Sequence, residues 1–297
     1  MARPLTLAVF TKNRLNPAYV AARMAADRVA AESGARTVHY VPETPDHVGE
    51  QKALVTEALA ARPDAVLLNP TDDVAMVEDL ARFAGAGIPV AIFINRMARA
   101  ALTFVGSDDV AIGRNVANAL IGSLGGKGRI VALEGLPSVP TSRARMRGLR
   151  DALTRAPGIE LLEARVGHLL QAPAKAAMAE LLAAHPEIDG VWTANDMMAF
   201  GALDALGDAG RTAKVVGING LPAAIDHIEH GRMVASADFS AFTIAAIATR
   251  AVLRHLDGKS VPAEIMVPAE LIDRTNYRRW KVPFDQRPCP AWDEIVR

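Results

Sequence analysis

The sequence predicts an α/β protein built from two doubly wound parallel sheets with helices on both faces. Three observations predict it. Short apolar, β-branched runs alternate with longer segments of helical period. Alternating β and α units give parallel strands covered on both sides. The chain has 297 residues, a length that favours two domains over one, and its ten candidate strands suit two sheets better than one. The third observation is a repeated layout. In "DAVLLNPTDDVAMVEDLA" (Asp64 to Ala81), an Asp precedes a short apolar run that ends in Asn, with another Asp and a helix behind it. "VWTANDMMAFGALDAL" (Val191 to Leu206) repeats the plan in the second half.

The elements follow in order. "LTLAVFT" makes Leu5–Thr11 the first strand, directly behind "MARP", and Ala18–Ser33 the first helix. Arg36–Val41 is a second strand, Val48–Ala61 a helix, and Ala65–Asn69 an apolar strand ending "LLNP". Pro89–Asn95 ends the same way, in "IFINR", and Thr103–Val105 is a short strand before the helix Asp109–Ser123. "GGKGRIV" (Gly125 to Val131) leads from a helix into the strand Arg129–Glu134, the reverse of a phosphate-binding loop, and reads as a turn. Ile159–Val166 is a strand and Ala174–His185 a helix. Gly190–Thr193 leads to Asn195, and Lys214–Asn219 ends in "VGING". Val234–Asp238 and the helix Phe242–Leu256 complete the set. Asn69, Asn95, Asn195 and Asn219 therefore close four strands, two per half. Asn is a common turn former, but in open α/β sheets the crevice beyond the strands' carboxyl ends is also where ligands bind.

Composition narrows the function. Hydrophobic residues make up 51%, enough for sizeable cores. Lys+Arg and Asp+Glu balance at 33 each, so no basic surplus points to nucleic acid. The single Cys289 allows no internal disulfide. No apolar run approaches the roughly 18–20 residues of a membrane span. GxSxG, a Walker loop and Cys/His zinc spacing are all missing. His227 and His230 lie on a helix end that closes at Gly231, and Cys289 has no His partner in the sequence. These readings give no positive evidence for an enzyme, a metal or a cofactor. The first strand begins so early that either the protein is cytosolic or an export leader has been removed.

The polar strand ends also carry a family resemblance. "NPAY" (Asn16–Tyr19), "NPTD" (Asn69–Asp72), "GIPV" (Gly87–Val90), "NR" (Asn95–Arg96), "GSDD" (Gly106–Asp109), "TSRARMRG" (Thr141–Gly148), "AHPEIDG" (Ala184–Gly190), "ANDMMAFGAL" (Ala194–Leu203) and "VVGINGLP" (Val215–Pro222) occur in that order. Over about Leu5 to Arg274 the chain resembles the type I periplasmic binding proteins, and within them the ribose-binding, sugar-transport branch. The resemblance implies two Rossmann-like lobes joined by a three-strand hinge, with crossings near Gly106–Asp108, Asp238–Ser240 and Val267–Ala269. It places 1–107 and 240–267 in an N-terminal lobe, and 108–239 and 268–297 in a C-terminal lobe with an extended tail, 277–297. It implies a periplasmic, monomeric solute-binding protein of an ABC transporter. Such a protein captures a sugar or polyol by clamshell closure and delivers it to a membrane permease. The lactose-repressor group shares the fold but carries a DNA-reading domain in front, for which this chain leaves no room before Leu5.

Carried over by motif, the ligand contacts are Asn16, Tyr19, Asn69, Asn95, Arg96 and Asp108 from the first lobe's motifs, and Arg147, Asn195, Asn219 and Phe239 from the second's. The chemistry suits a polyol, since Asn offers both donor and acceptor to a hydroxyl and Arg donates a planar fork. Asp108 also suits a helix cap. Against the ribose-binding branch, Asn95 and Asn219 replace Asp, Ala18 and the region of Leu169 lack aromatic residues, and Phe239 replaces Gln. The pocket so loses two carboxylates, which fits a smaller or acyclic polyol, an uncommon sugar or a weakly acidic sugar derivative. Trp280, Phe284 and Trp292, spaced by prolines, predict a tail docked along a lobe. A stand-alone cytosolic sugar sensor or regulatory protein of the same fold is the alternative function, and an α/β enzyme acting on a polyol is a third. Asn195 is expected to face ligand rather than serve its turn, so that Asn195→Ala leaves stability within about 1 kcal/mol.

Overall fold

The computed structural model describes residues Arg3 to Val296. In chain order the elements are β1 (Thr6–Phe10), α1 (Pro17–Glu32), β2 (Arg36–Tyr40), α2 (Val48–Ala61), β3 (Ala65–Leu68), α3 (Val77–Gly85), β4 (Val90–Phe93), β5 (Thr103–Gly106) and α4 (Asp109–Ser123). Then come β6 (Gly128–Glu134), α5 (Pro140–Leu153), β7 (Ile159–Val166), α6 (Gln171–Ala184), β8 (Gly190–Thr193), α7 (Asp196–Asp208), β9 (Lys214–Ile218), α8 (Pro222–Glu229) and β10 (Ala235–Asp238). The chain ends with α9 (Ala241–Leu256), β11 (Glu264–Met266), β12 (Glu270–Asp273), two short 3₁₀ turns and α10 (Trp292–Ile295).

The chain divides into two compact units. The first holds Met1–Ser107, Ser240–Val267 and Phe284–Arg297, and the second Asp108–Phe239 and Pro268–Pro283. The first unit's sheet runs β11-β5-β4-β3-β1-β2 with every pairing parallel. The second runs β12-β10-β9-β8-β6-β7. Its pairings are parallel except that β12 lies antiparallel on β10. A wholly parallel second sheet, as the alternation predicted, is therefore corrected at one edge. Neither β11 nor β12 has the apolar run of a central strand: in β11 only the middle residue is buried.

Burial explains why the central strands read as continuous apolar runs. All four residues of β3, β4 and β8 are buried, because helices cover both faces. In the first unit Phe10 stacks on Tyr40 at 4.9 Å and meets Phe83 edge-on at 6.0 Å. Burying each such ring contributes about 1.5–3 kcal/mol. In the second, Trp192 is fully buried on β8, and its indole N–H donates to the Gly113 carbonyl at 3.4 Å. Gly113 on α4 and Gly148 on α5 let these helices cross backbone to backbone. A Cβ on Gly113 would lie 2.2 Å from the Arg145 carbonyl oxygen, and one on Gly148 2.2 Å from that of Val110.

The chain passes between units after Ser107, Phe239, Val267 and Pro283, four times rather than the three expected. The extra passage comes from the tail, whose last stretch, Phe284–Arg297, belongs to the first unit and not to the second. On the second unit, Trp280 is buried and donates its indole N–H to Asp238 at 3.0 Å. On the first, Arg28 and Arg250 donate to the Arg287 and Pro290 carbonyls at 2.7 and 2.9 Å, and the Arg254 guanidinium lies 4.5 Å over the Trp292 ring. The tail is docked, as its spaced aromatics predicted.

Candidate functional site

Parallel strands bring their carboxyl ends to one edge of each sheet, so the residues that follow them are gathered there. In the first unit, β1 leads into Thr11, Lys12 and Asn13, all buried. Asn13 accepts from the Leu15 and Asn16 amides at 3.2 and 2.9 Å, folding the chain into a tight turn. Asn16 then caps α1, accepting from the Ala18 amide at 3.0 Å, and Tyr19 is buried in the helix's first turn. Lys12, its side chain wholly buried, pairs with Asp46 at 3.3 Å, and Asn13 donates to the same carboxylate at 3.1 Å.

Next to β1 in the sheet is β3, which leads into Asn69, and next to that β4, which leads through Ile94 to Asn95. Asn95 is aimed by a three-residue turn. Its amide donates back to the Phe93 carbonyl at 2.8 Å, with Ile94 between at φ 64°. A β-branched residue in that region costs on the order of 1–3 kcal/mol, and such strain collects at functional sites. The two amides meet: Asn95 Nδ2 donates to Asn69 Oδ1 at 2.8 Å. Asn69 Nδ2 and Asn95 Oδ1 are left buried with no hydrogen-bond partner. Turning both amides over exchanges the roles but still leaves one donor and one acceptor. A buried group in that condition costs about 1–3 kcal/mol until something fills it. A hydroxyl, which donates and accepts, matches this donor and acceptor.

Arg96 is placed differently. It is exposed, ion-paired with Glu264 and stacked over Phe104 at 4.0 Å. Its charge is thus already matched inside its own unit.

In the second unit, Asp108 is exposed and caps α4, accepting from the Ala111 amide at 2.9 Å. Arg147 stands exposed on α5, while Arg145 is buried. Arg145 donates to Asp109 at 2.8 Å and to the Ala194 carbonyl at 2.8 Å, and lies 5.1 Å over the buried Phe239 ring. Arg147, the arginine that the motif names, is thus the one left open to solvent, while Arg145 is committed within the unit. The buried stripe of α5 is Thr141, Ser142, Arg145, Met146, Gly148, Leu149 and Ala152. Helical phase, with its period of 3.6, sets which of the arginines turns inward.

Asn195 serves its turn, against the expectation from sequence. Its Oδ1 accepts from the Met198 amide at 2.8 Å, capping α7, and its Nδ2 donates to the Leu169 carbonyl at 2.9 Å. The turn needs this Asn. Behind it, Asp196 is fully buried, accepting from Ser236 Oγ at 2.7 Å and from the Leu221 amide at 2.9 Å. Ser236 in turn accepts from the Gly220 amide at 3.1 Å. Asp196 so pins the turn that presents Asn219, whose φ is 140°. Loss of solvent raises the Asp196 carboxyl from its ordinary 3.8 to about 7, more than its two hydrogen bonds and the Arg145 charge pull it down. Lys12, Asp46, Arg145 and Asp196 escaped sequence reasoning because a buried charge is recognised by its partner, and the partners are distant in sequence. Among the described residues there is no cluster of His, Cys, Asp and Glu able to hold a metal, and no helix long and apolar enough to cross a membrane.

Comparison with known proteins agrees with this architecture. Residues 7–260 match the family model described as periplasmic binding protein domain. The ribose import binding protein of Bacillus subtilis is 28% identical over 267 residues, 89% of this chain and 85% of that protein. An ABC transporter solute-binding protein of Actinobacillus succinogenes, solved with bound D-allose, superposes with a TM-score of 0.88 at 26% identity, covering 93% of this chain and 100% of the other. One from Mycobacterium smegmatis, with bound glycerol, gives 0.88 at 28% identity, covering 93% and 96%.

Proposed function

This chain belongs to the type I periplasmic sugar-binding proteins of ribose-binding type, and from that premise we propose that it binds one neutral sugar or polyol and delivers it to a membrane permease of an ABC importer. The ligand is held by the strand-end residues of both units, which close on it, and it is released unchanged. The protein works in the periplasm, as its family does. The observation that carries the reading is the Asn69–Asn95 pair, whose one buried donor and one buried acceptor suit a hydroxyl.

Neutrality of the ligand is supported by the charges nearby. Arg96 is matched by Glu264, Arg145 by Asp109 and Lys12 by Asp46. At any of these three an acidic ligand would have to displace a carboxylate, whereas a hydroxyl needs no such exchange. Asn16, Tyr19, Arg147, Asn219 and Phe239 complete the proposed contacts, with Arg145 and Asn195 holding the turns beside them.

The test is isothermal calorimetry with ribose, allose, glycerol, other polyols and the matching sugar acids. One neutral ligand per chain, recovered intact and bound more tightly than its acid, is the expected result. Preference for the acid, or turnover of the ligand, would overturn the reading.

A further inference from the structure

We propose that the second unit carries a second site, at the amino-terminal edge of its sheet, which binds a small amphipathic carboxylate, an apolar body with one anionic end. A cavity of about 840 Å³ opens there. Its lining takes in Asp189 just before β8, Lys214 at the start of β9, Met233 and Val234 just before β10, and Asp273 at the end of the antiparallel β12. Asn195 and Asn219 follow the opposite, carboxyl ends of β8 and β9, and no residue of the proposed sugar site lines this cavity. Its volume falls in the range of small-molecule sites, about 300–1,000 Å³.

Two features give the class of ligand. The floor is apolar: Leu206 and Met233 are buried in it, while Leu124, Leu203 and Val234 stay half-buried. Covering such surface gains roughly 25 cal/mol per Å². The rim is cationic, with Arg211, Lys214, Arg232 and Arg274 against Asp189 and Asp273. Lys214 and Arg232 are exposed, and their side chains make no hydrogen bond or ion pair with another described residue. Arg211 donates to the Leu182, His185 and Pro186 carbonyls at 2.9, 3.1 and 2.8 Å, and Arg274 to that of Glu229 at 3.4 Å, which leaves both charges unmatched. The two carboxylates accept from neutral donors, Asp189 from the Arg129 amide at 2.7 Å and Asp273 from the Thr275 amide at 2.7 Å and hydroxyl at 2.6 Å. Four cations thus face two anions. The ends of α4, α7 and α8 lie at this edge, and their negative dipole ends account for cations being placed there. They do not account for an apolar floor left open between the cations. A carboxylate set on Lys214 and Arg232, with its apolar body over Leu203 and Val234, uses both features.

The inference does not depend on which sugar is bound. Its test is an amide-resolved NMR titration of the full chain with octanoate, against octanol and octylamine as neutral and cationic probes with the same apolar body. Octanoate should give saturable shifts of the Leu206, Lys214 and Arg232 amides, bind more tightly than octanol, and leave the Asn69 and Asn95 amides in place. Octylamine should not bind. Lys214→Gln and Arg232→Gln should each weaken octanoate about threefold to tenfold, the loss of one charge-assisted bond at an exposed rim, and leave octanol unchanged. Gly207 in the last turn of α7 also lines the cavity, and a Cβ on it would meet no atom within 4 Å, so Gly207→Leu should fill the space and weaken both probes. The two charge variants alter exposed side chains, so they decide the matter even where Gly207→Leu does not fold. Octylamine binding as tightly as octanoate, or an unchanged octanoate titration in the double charge variant, would overturn the proposal.

Discussion

In the first unit, Asn69 and Asn95 hold each other by a single bond and keep one donor and one acceptor buried without a partner. In the second, Asn195 commits both ends of its amide to backbone groups, and Asp196 behind it accepts from Ser236 and Leu221. The two stretches share one sequence layout, an apolar strand, an Asn, an Asp and a helix. They differ in whether the protein itself satisfies the polar groups. On the proposed function, the unsatisfied pair is held ready for a ligand and the satisfied one serves as scaffold. Substitutions in the second unit should therefore show in stability, and those in the first in binding.

The largest effect is expected at Asp196. Asp196→Ala orphans two buried donors and should cost roughly 2–5 kcal/mol of stability in urea unfolding. A cost under about 1 kcal/mol would mean that the network is not structural. The same residue gives the second unit a pH signature. Its folded value of about 7 lies above its ordinary 3.8, so the folded state holds the proton more tightly than the unfolded state. Stability is then fullest below the ordinary value, falls as pH rises towards about 7 and levels off above it. Asp196→Asn removes that titration, so the gap between wild type and variant should change across the window. Parallel curves would contradict the assignment.

Asn195→Ala comes next. Loss of the cap and of the Leu169 bond should cost about 1–3 kcal/mol of stability. This reverses the expectation from sequence, and a melting temperature equal to wild type would restore it. Asn95→Ala tests the other side of the comparison: ligand binding should weaken by about 1–3 kcal/mol in calorimetry, with stability held within about 1 kcal/mol. If Asn95→Ala melts far below wild type and binds normally, the contrast between units fails. The smallest effect is expected at Arg96. Its pair with Glu264 joins side chains 50% and 47% exposed, so Arg96→Gln should change stability by less than about 1 kcal/mol. A larger loss of ligand affinity would instead return Arg96 to the contacts that the family motif implies.

By itself the sequence determined the periodicities, and with them the alternation of strands and helices, the two sheets, and the edge of each at which its own asparagines lie, Asn69 and Asn95 in one unit and Asn195 and Asn219 in the other. Those are local properties: strands buried on both faces must be apolar throughout, and the chain must turn polar where they end. Motif order added the family. Only the tertiary structure decided that Arg145 and not Arg147 turns inward, that Asn195 is a cap, and that the tail returns to the first unit. The physical reason is that a buried polar group is defined by its partner. Arg145 finds Asp109 and the Ala194 carbonyl, and Asp196 finds Ser236, each across dozens of residues that no local pattern spans.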